Sequence, residues 1–381
     1  MENDNGDNPL FIDIETYYDT RKKYGVRNMT TTEYVYDDRA CIIAVGAMRG
    51  NGGYEVWTND WPDDNENAVE SLTQWLMGIG YLTGAVIAHN GYFDFQMIRC
   101  WTGLIPEFMQ DTMLMNIHLF GQPSAAAKYY NLAGGRNTLE SLQVAHWEEF
   151  FGGKLMHYDN VQLNVFKQGG GKDILKSMDG VRNINHLSAL DQELFRAYLY
   201  VDVAFAHFLY YKLIDYIPAA QRLTINWALH QYVAPVLQLD TVILSDIHRK
   251  EEAEIDDACR MLKTDRKEVG SSQKFALLLE GYGVDVPMKQ GANGPIPAFA
   301  KDDIGMMNLR DGIGTQYPVV VRDLVNLRLK VKGNQMSKRA MSYAKVGDAM
   351  DRATGEPWWP VHMIPSGAHT HRPTGSSGGG G

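Results

Sequence analysis

Cysteine is scarce: Cys41, Cys100 and Cys259 are the only three among 381 residues. They lie far apart and never in a Cys-x-x-Cys pair, which excludes a disulfide framework and a cysteine-built zinc site. Long apolar runs are also missing, and none approaches the roughly 20 residues that span a bilayer, so no membrane role is expected. The first residues, Met-Glu-Asn-Asp-Asn-Gly-Asp, lack the basic start and apolar stretch of a secretory signal, and a cytoplasmic location is expected. Positive charge is in deficit. A net charge of −10 argues against a chain held on nucleic acid by bulk charge alone.

The chain does have ample material for a core, with 45% hydrophobic and 22% charged residues. Its length points to two compact units or one with a large appendage. Strand patterns over 9–15, 40–48, 54–58 and 85–88 alternate with helical patterns over 68–77 and 92–101, predicting an α/β first part. A further helix is expected over 109–119, an irregular stretch over 161–185, and a long amphipathic helix over 190–217. Residues 219–263, 271–280 and 319–329 read as helical. A Pro/Gly-containing segment over 284–297 separates the last two. The tail from 354 is too rich in Gly, Pro and Trp to pack by itself.

Three short patterns carry chemistry. Asp13 and Glu15 stand two apart, so on a strand both carboxylates leave one face and can converge on a cation. Asp94 follows the apolar strand 85–88 and sits in the first turn of the next helix, at the strand edge where ligand sites collect. Tyr198 and Asp202 stand four apart on one helix face. Each pattern alone has an ordinary reading: a polar strand end, a helix N-terminal acid, and a packed aromatic stripe with a surface ion pair.

Taken in order, the three resemble the motifs of the DEDD exonucleases with the tyrosine variant of the third motif, the proofreading type of DNA polymerases. The resemblance covers about residues 8–215. It implies a ribonuclease H-like exonuclease domain over 1–217, with a central mixed sheet and flanking helices. Asp13, Glu15 and Asp202 would hold the divalent ion that activates water, and Asp13 with Asp94 would serve a second. Oxygen-only donors suit Mg²⁺ or Mn²⁺. Tyr198 would orient the water by hydrogen bonding. Thr16, Asn90 and Phe93 would contact the single-stranded 3′ end. His89 and Asp111 are read as structural, Asp111 as a cap for the next helix.

The remainder resembles family A DNA polymerases, phage-type ones above all. It carries Ser272-Gln-Lys-Phe-Ala-Leu-Leu-Leu-Glu, a basic stretch over 322–345, and Arg372-Pro-Thr-Gly-Ser-Ser377, which departs from the family's Thr-Gly-Arg-x-Ser signature in the place of its arginine. The resemblance implies a mainly helical thumb-like region over 218–352 and the start of a palm over 353–381. Lys330, Lys332, Lys338 and Arg339 would contact the phosphates of a primer–template duplex. Palm carboxylates for synthesis are missing from the sequence, so the chain reads as the amino-terminal portion of such a polymerase. Two other readings share these residues: an RNA-trimming exonuclease and a noncatalytic DNA-binding fragment.

Overall fold

The computed structural model describes residues 8–61, 64–121, 142, 170–291, 294–313, 317–333, 335–368 and 370–375. Residues 161–169 of the stretch read as irregular lie outside them. The chain divides into two compact units, Met1–Gln238 with Ala349–Gly381, and Leu239–Asp348.

The first unit is built on a five-stranded mixed sheet. Its strands are β1 (Leu10–Thr16), β2 (Ile42–Arg49), β3 (Tyr54–Thr58), β4 (Ala85–Ala88) and β5 (Phe108–Asp111), in the order β3-β2-β1-β4-β5. β1 is antiparallel to β2 and parallel to β4; β4 is parallel to β5. The central strands are sequences that a doubly covered sheet favours: Ala85-Val-Ile-Ala88 is buried throughout, as is β2 up to its last residue. The sequence pattern placed β5 inside a helix. Four residues carry too little periodicity to decide, and its state comes from pairing with β4.

Helices α1 (Thr31–Val35), α2 (Asn65–Gly78), α3 (Gly91–Thr102), α4 (Thr112–Phe120), α5 (Gly170–Ser177), α6 (Ala189–Leu213) and α7 (Ala219–Val233) complete this unit. α5 falls in the stretch read as irregular. The long α6, capped by Ser188 onto Asp191 N, packs along β1 and β2. The first compact unit runs on past residue 217 to Gln238. α7 covers the outer edge of β5, where Asn226 Oδ1 accepts from Met109 N at 2.7 Å and Gln110 Nε2 donates to Arg222 O at 2.9 Å. An edge strand left bare would expose such groups.

The tail also belongs here. Trp359 N donates to Leu237 O at 2.7 Å, the Tyr92 hydroxyl donates to Met363 O, and the His362 ring lies 4.2 Å from that of Tyr92. Burial pushes His362 down to about 4. An unfolded histidine titrates near 6.5, so between the two values only the unfolded chain takes up the proton, and stability falls as pH drops. At pH 5 the loss approaches about 2 kcal/mol. In thermal melting from pH 7.5 to 5 the wild type should lose this amount relative to His362→Gln, which shares every other titrating group.

The second unit is mainly helical: α8 (Thr241–Met261), α9 (Arg266–Gly270), α10 (Ser272–Glu280), α11 (Ile304–Asp311), α12 (Val319–Gly333) and the first part of α13 (Gln335–Thr354). The Pro/Gly segment forms a hairpin, β6 (Met288–Gly291) and β7 (Gly294–Pro297). A short pair, β8 (Met363–Ile364) with β9 (Thr374–Gly375), lies in the tail. Ile255, Phe275, Leu279, Met306, Val321 and Val325 form the centre of the second core. Among the described residues no helix is long and apolar enough to cross a membrane.

Candidate active site

Strand alternation puts Phe11, Asp13 and Glu15 on one face of β1. That face looks toward α6, since the Phe11 ring lies 4.8 Å from His207 and 5.4 Å from Tyr210. Opposite Asp13 and Glu15 on β2 stand Gly46 and Ala44. These small residues leave room above the sheet for both the carboxylates and the helix. A Cβ at Gly46 would come within 2.9 Å of Leu199 and 3.0 Å of Val203, so α6 passes directly over this point. Asp202 lies between those two contacts in sequence. The register slips between Glu15 and Thr16, bending the strand where it leaves the core.

As a result, carboxylate oxygens of Asp13, Glu15 and Asp202 all lie within 4.8 Å of one another. The Tyr198 side chain bonds to Asp202 and feels the charges of Glu15 and Asp13. Burial and these carboxylates raise its pKa, so its hydroxyl keeps its proton and donates to Asp202.

Asp94 arrives from α3. β4 ends at Ala88, and Asn90 turns the chain in the left-handed region (φ 65°), which asparagine tolerates better than most residues. The Asp94 carboxylate, 5% exposed, accepts from Ile14 N at 3.3 Å. That N–H lies past the end of the β1–β4 pairing, and the bond holds Asp94 close enough for its charge to act on Asp13 and Glu15.

The buried carboxylate of Asp111 sets the position of α3. It accepts from Asn90 N (3.2 Å), Gly91 N (2.8 Å), Met113 N (2.7 Å) and Leu114 N (3.1 Å). One side chain thus caps α4, as its sequence position suggested, and also holds the start of α3. Asp111→Ala leaves all four donors without this acceptor. A loss of about 2–4 kcal/mol in urea unfolding is expected, larger than for an ordinary single cap. His89, beside it, is buried and bonds through Nδ1 to Thr112 Oγ1 at 2.9 Å, a structural placement.

The electrostatics are those of an acid cluster gathered against its own repulsion. Burial first, then Asp202, Asp94 and Glu15, raises the Asp13 carboxyl well above its ordinary range. Burial, Asp202 and Asp94 push Glu15 up to about 8, and burial also pushes Asp94 to about 8. The charges acting on Asp13 and Glu15 are carboxylates, so the arrangement suits a cation. The donors are oxygen only, which fits hard divalent ions such as Mg²⁺ or Mn²⁺.

Of the residues expected to meet a strand end, Thr16 and Phe93 are joined through Tyr34. The Tyr34 hydroxyl lies 2.7 Å from Thr16 Oγ1, and its ring stacks on Phe93 at 5.8 Å. Asn90 contributes its turn and its backbone N–H. The four basic residues lie in the second unit: Lys330 pairs with Glu254, while Lys332, Lys338 and Arg339 are exposed. Arg328, counted with that basic stretch, is instead buried.

A second basic group, not singled out from the sequence, lies in the first unit itself. Arg21, Lys22 and Lys23 follow β1 directly on an exposed turn closed by the Asp19–Tyr24 bridge, and Arg27, also exposed, lies three residues beyond it. Tyr18, from the same turn, feels both Glu15 and Arg27. The signal was the run of cations just past the Asp-x-Glu-Thr motif.

The sequence matches no known family profile and no curated protein. Among solved structures, the chain is similar to the POL domain of Pol1 from M. smegmatis in complex with DNA primer-template and dNTP. That alignment covers 97% of this chain and 51% of the other, at 14% identity and a TM-score of 0.46. The family B DNA polymerase from the hyperthermophilic archaeon Pyrobaculum calidifontis aligns over 88% of this chain and 46% of its own, at 10% identity and a TM-score of 0.30. The chain spans about half the length of each.

Proposed function

We propose that the first unit is a ribonuclease H-like 3′→5′ exonuclease that hydrolyses the terminal phosphodiester of a DNA strand and releases 5′-mononucleotides. One observation carries the reading: carboxylates from β1, α3 and α6 converge, with three of their oxygen positions within 4.8 Å and a protonated tyrosine beside them. The strand order, with the acids on the central strand and on helices beside it, is consistent with that fold.

In this reading Asp13, Glu15 and Asp202 hold one divalent ion, and Asp13 with Asp94 serves a second. Such ions, when bound, supply the charge that stabilises the attacking and leaving oxygens of an in-line displacement. The chain's own groups do the rest. Tyr198, with its proton retained, orients the attacking water as a hydrogen-bond partner. The water oxygen attacks phosphorus and the P–O3′ bond breaks. The strand keeps a 3′-hydroxyl and the released nucleotide keeps the 5′-phosphate. Lys22, on the turn after β1, and Arg27, just beyond it, provide phosphate contacts for the incoming strand.

The second unit, in the same reading, is a thumb-like region that holds duplex DNA, and the chain is related to family A polymerases. The test is direct. Incubated with 5′-labelled single-stranded DNA and Mg²⁺, the chain should shorten the strand from its 3′ end, and EDTA should stop it. Intact DNA after incubation at any Mg²⁺ or Mn²⁺ concentration would sink the proposal. Faster trimming of an RNA strand of the same sequence would assign the substrate to RNA instead.

A further inference from the structure

Within the second unit lies a cavity of about 530 Å³, between the start of α10, the β6–β7 hairpin with the loop after it, and the end of α12. Lys289, Lys301, Arg328 and Lys332 all line it, and no carboxylate does. Lys289 is neutralised by Asp303, which leaves Lys301, Arg328 and Lys332 as three cations around one concavity with no acid lining it, and like charges repel unless an anion joins them.

Arg328 makes the case specific. Apolar residues of α12 recur at Val321, Leu324 and Val325, so helical spacing carries residue 328 into the same buried stripe. The side chain is only 3% exposed. Its guanidinium donates to Val269 O and to Ser272 Oγ, and lies 4.7 Å and 4.8 Å from the ring centroids of Phe275 and Phe299. All of these partners are neutral. Its Nε is buried without a hydrogen-bond partner. Burying a guanidinium among neutral groups is costly, and a planar fork of five N–H donors, two of them engaged by neutral oxygens, matches a tetrahedral oxyanion. Lys289 is committed to Asp303 at 2.8 Å. Lys301 and Lys332 are exposed and have no carboxylate partner among the described residues.

We propose that this cavity is a phosphate-binding site, in which Arg328 and Ser272 form the fixed floor and Lys301 and Lys332 close over a phosphate ester. The apolar wall, including Ile296 and Leu329, leaves room for the sugar or base attached to it. The phosphate belongs either to a nucleic-acid backbone or to a free nucleotide, and both present the same oxyanion. The site stands independently of the exonuclease reading, since it lies wholly in the other unit and involves no hydrolysis; its backbone form rests on the duplex-binding reading of the second unit, and its free-nucleotide form does not.

The test uses the full chain in EDTA, so that binding is measured without cleavage. Binding of a fluorescent primer–template duplex is followed by anisotropy across a salt series. Melting is followed with inorganic phosphate or dAMP. Lys301→Ala/Lys332→Ala is compared with the wild type and with Lys250→Ala, an exposed lysine that does not line the cavity. If the phosphate is part of a backbone, the double variant binds duplex at least about tenfold more weakly, with a salt slope shallower by about two ions. If it is a free nucleotide, millimolar phosphate or dAMP raises the melting temperature of the wild type and not of the double variant. Unchanged duplex affinity, salt slope and anion response in the double variant would overturn the site. So would an equal loss of duplex binding in Lys250→Ala. Single-strand degradation by the wild type in Mg²⁺ reports on the exonuclease separately.

Discussion

Asp13→Asn lowers metal-dependent shortening of a labelled DNA strand by at least about a hundredfold, the scale seen when one group that stabilises transition-state charge is removed. The position is the most constrained in the cluster. Asp13 projects from the central strand, feels Asp202, Asp94 and Glu15 together, and shares an oxygen cluster with Glu15 and Asp202. In the proposed mechanism it is the carboxylate common to both ions. Asparagine keeps the shape but removes the charge, so a loss of activity reports on cation holding, not on packing. Stability should move the other way. In EDTA the variant melts above the wild type, because burial and mutual repulsion make the ionised cluster unfavourable when no cation is present. Adding Mn²⁺ should raise the wild-type melting temperature by about 2 to 4 °C for each kcal/mol of binding, and raise that of the variant far less. Lower melting of Asp13→Asn in EDTA would show that the carboxylates are held by something other than a cation.

Gly46→Ala costs the next largest share of activity without touching a charged group. The added methyl would sit 2.9 Å from Leu199, 3.0 Å from Val203 and 3.2 Å from the Tyr54 hydroxyl, closer than side-chain carbons approach. α6 must therefore lift or slide, and Asp202 and Tyr198 move with it. A displacement of about 1 Å in a reacting constellation can cost on the order of a hundredfold, whereas the overpacking costs about 1–3 kcal/mol of stability. Activity measured well below the melting temperature should fall tenfold or more, with far-UV circular dichroism unchanged. Gly78→Ala serves as the control. Nothing lies within 4 Å of a Cβ there, and within α2 the change should be neutral or mildly stabilising. If the activity of Gly46→Ala falls only in proportion to its unfolded fraction, Gly46 does not position the helix.

Much of the candidate site was legible locally. The pairing of Asp13 with Glu15 follows from the two-residue period of a strand, and that of Tyr198 with Asp202 from the helical turn. Long elements such as α6 were legible for the same reason, since their period repeats many times. The failures share a cause too. β5 is four residues long and is a strand only because β4 lies beside it. α7 packs on β5, and its sequence says helix but not which edge it covers. Arg328 was counted with the surface cations because its neighbours in sequence are basic, although the spacing from Val321 already pointed inward.

The sequence by itself determined the kinds of donor, the face each one leaves and the order in which they come, because these depend on backbone periods and side-chain chemistry within a few residues. Only the tertiary structure decided that they meet. Asp94 reaches Asp13 and Glu15 through the N–H of Ile14, Asp111 holds the helix that delivers it, and Gly46 lets α6 come close enough to bring Asp202 down. Each of these depends on atoms far apart in the chain, whose approach is set by strand pairing and by the space left between packed elements. Local sequence specifies neither.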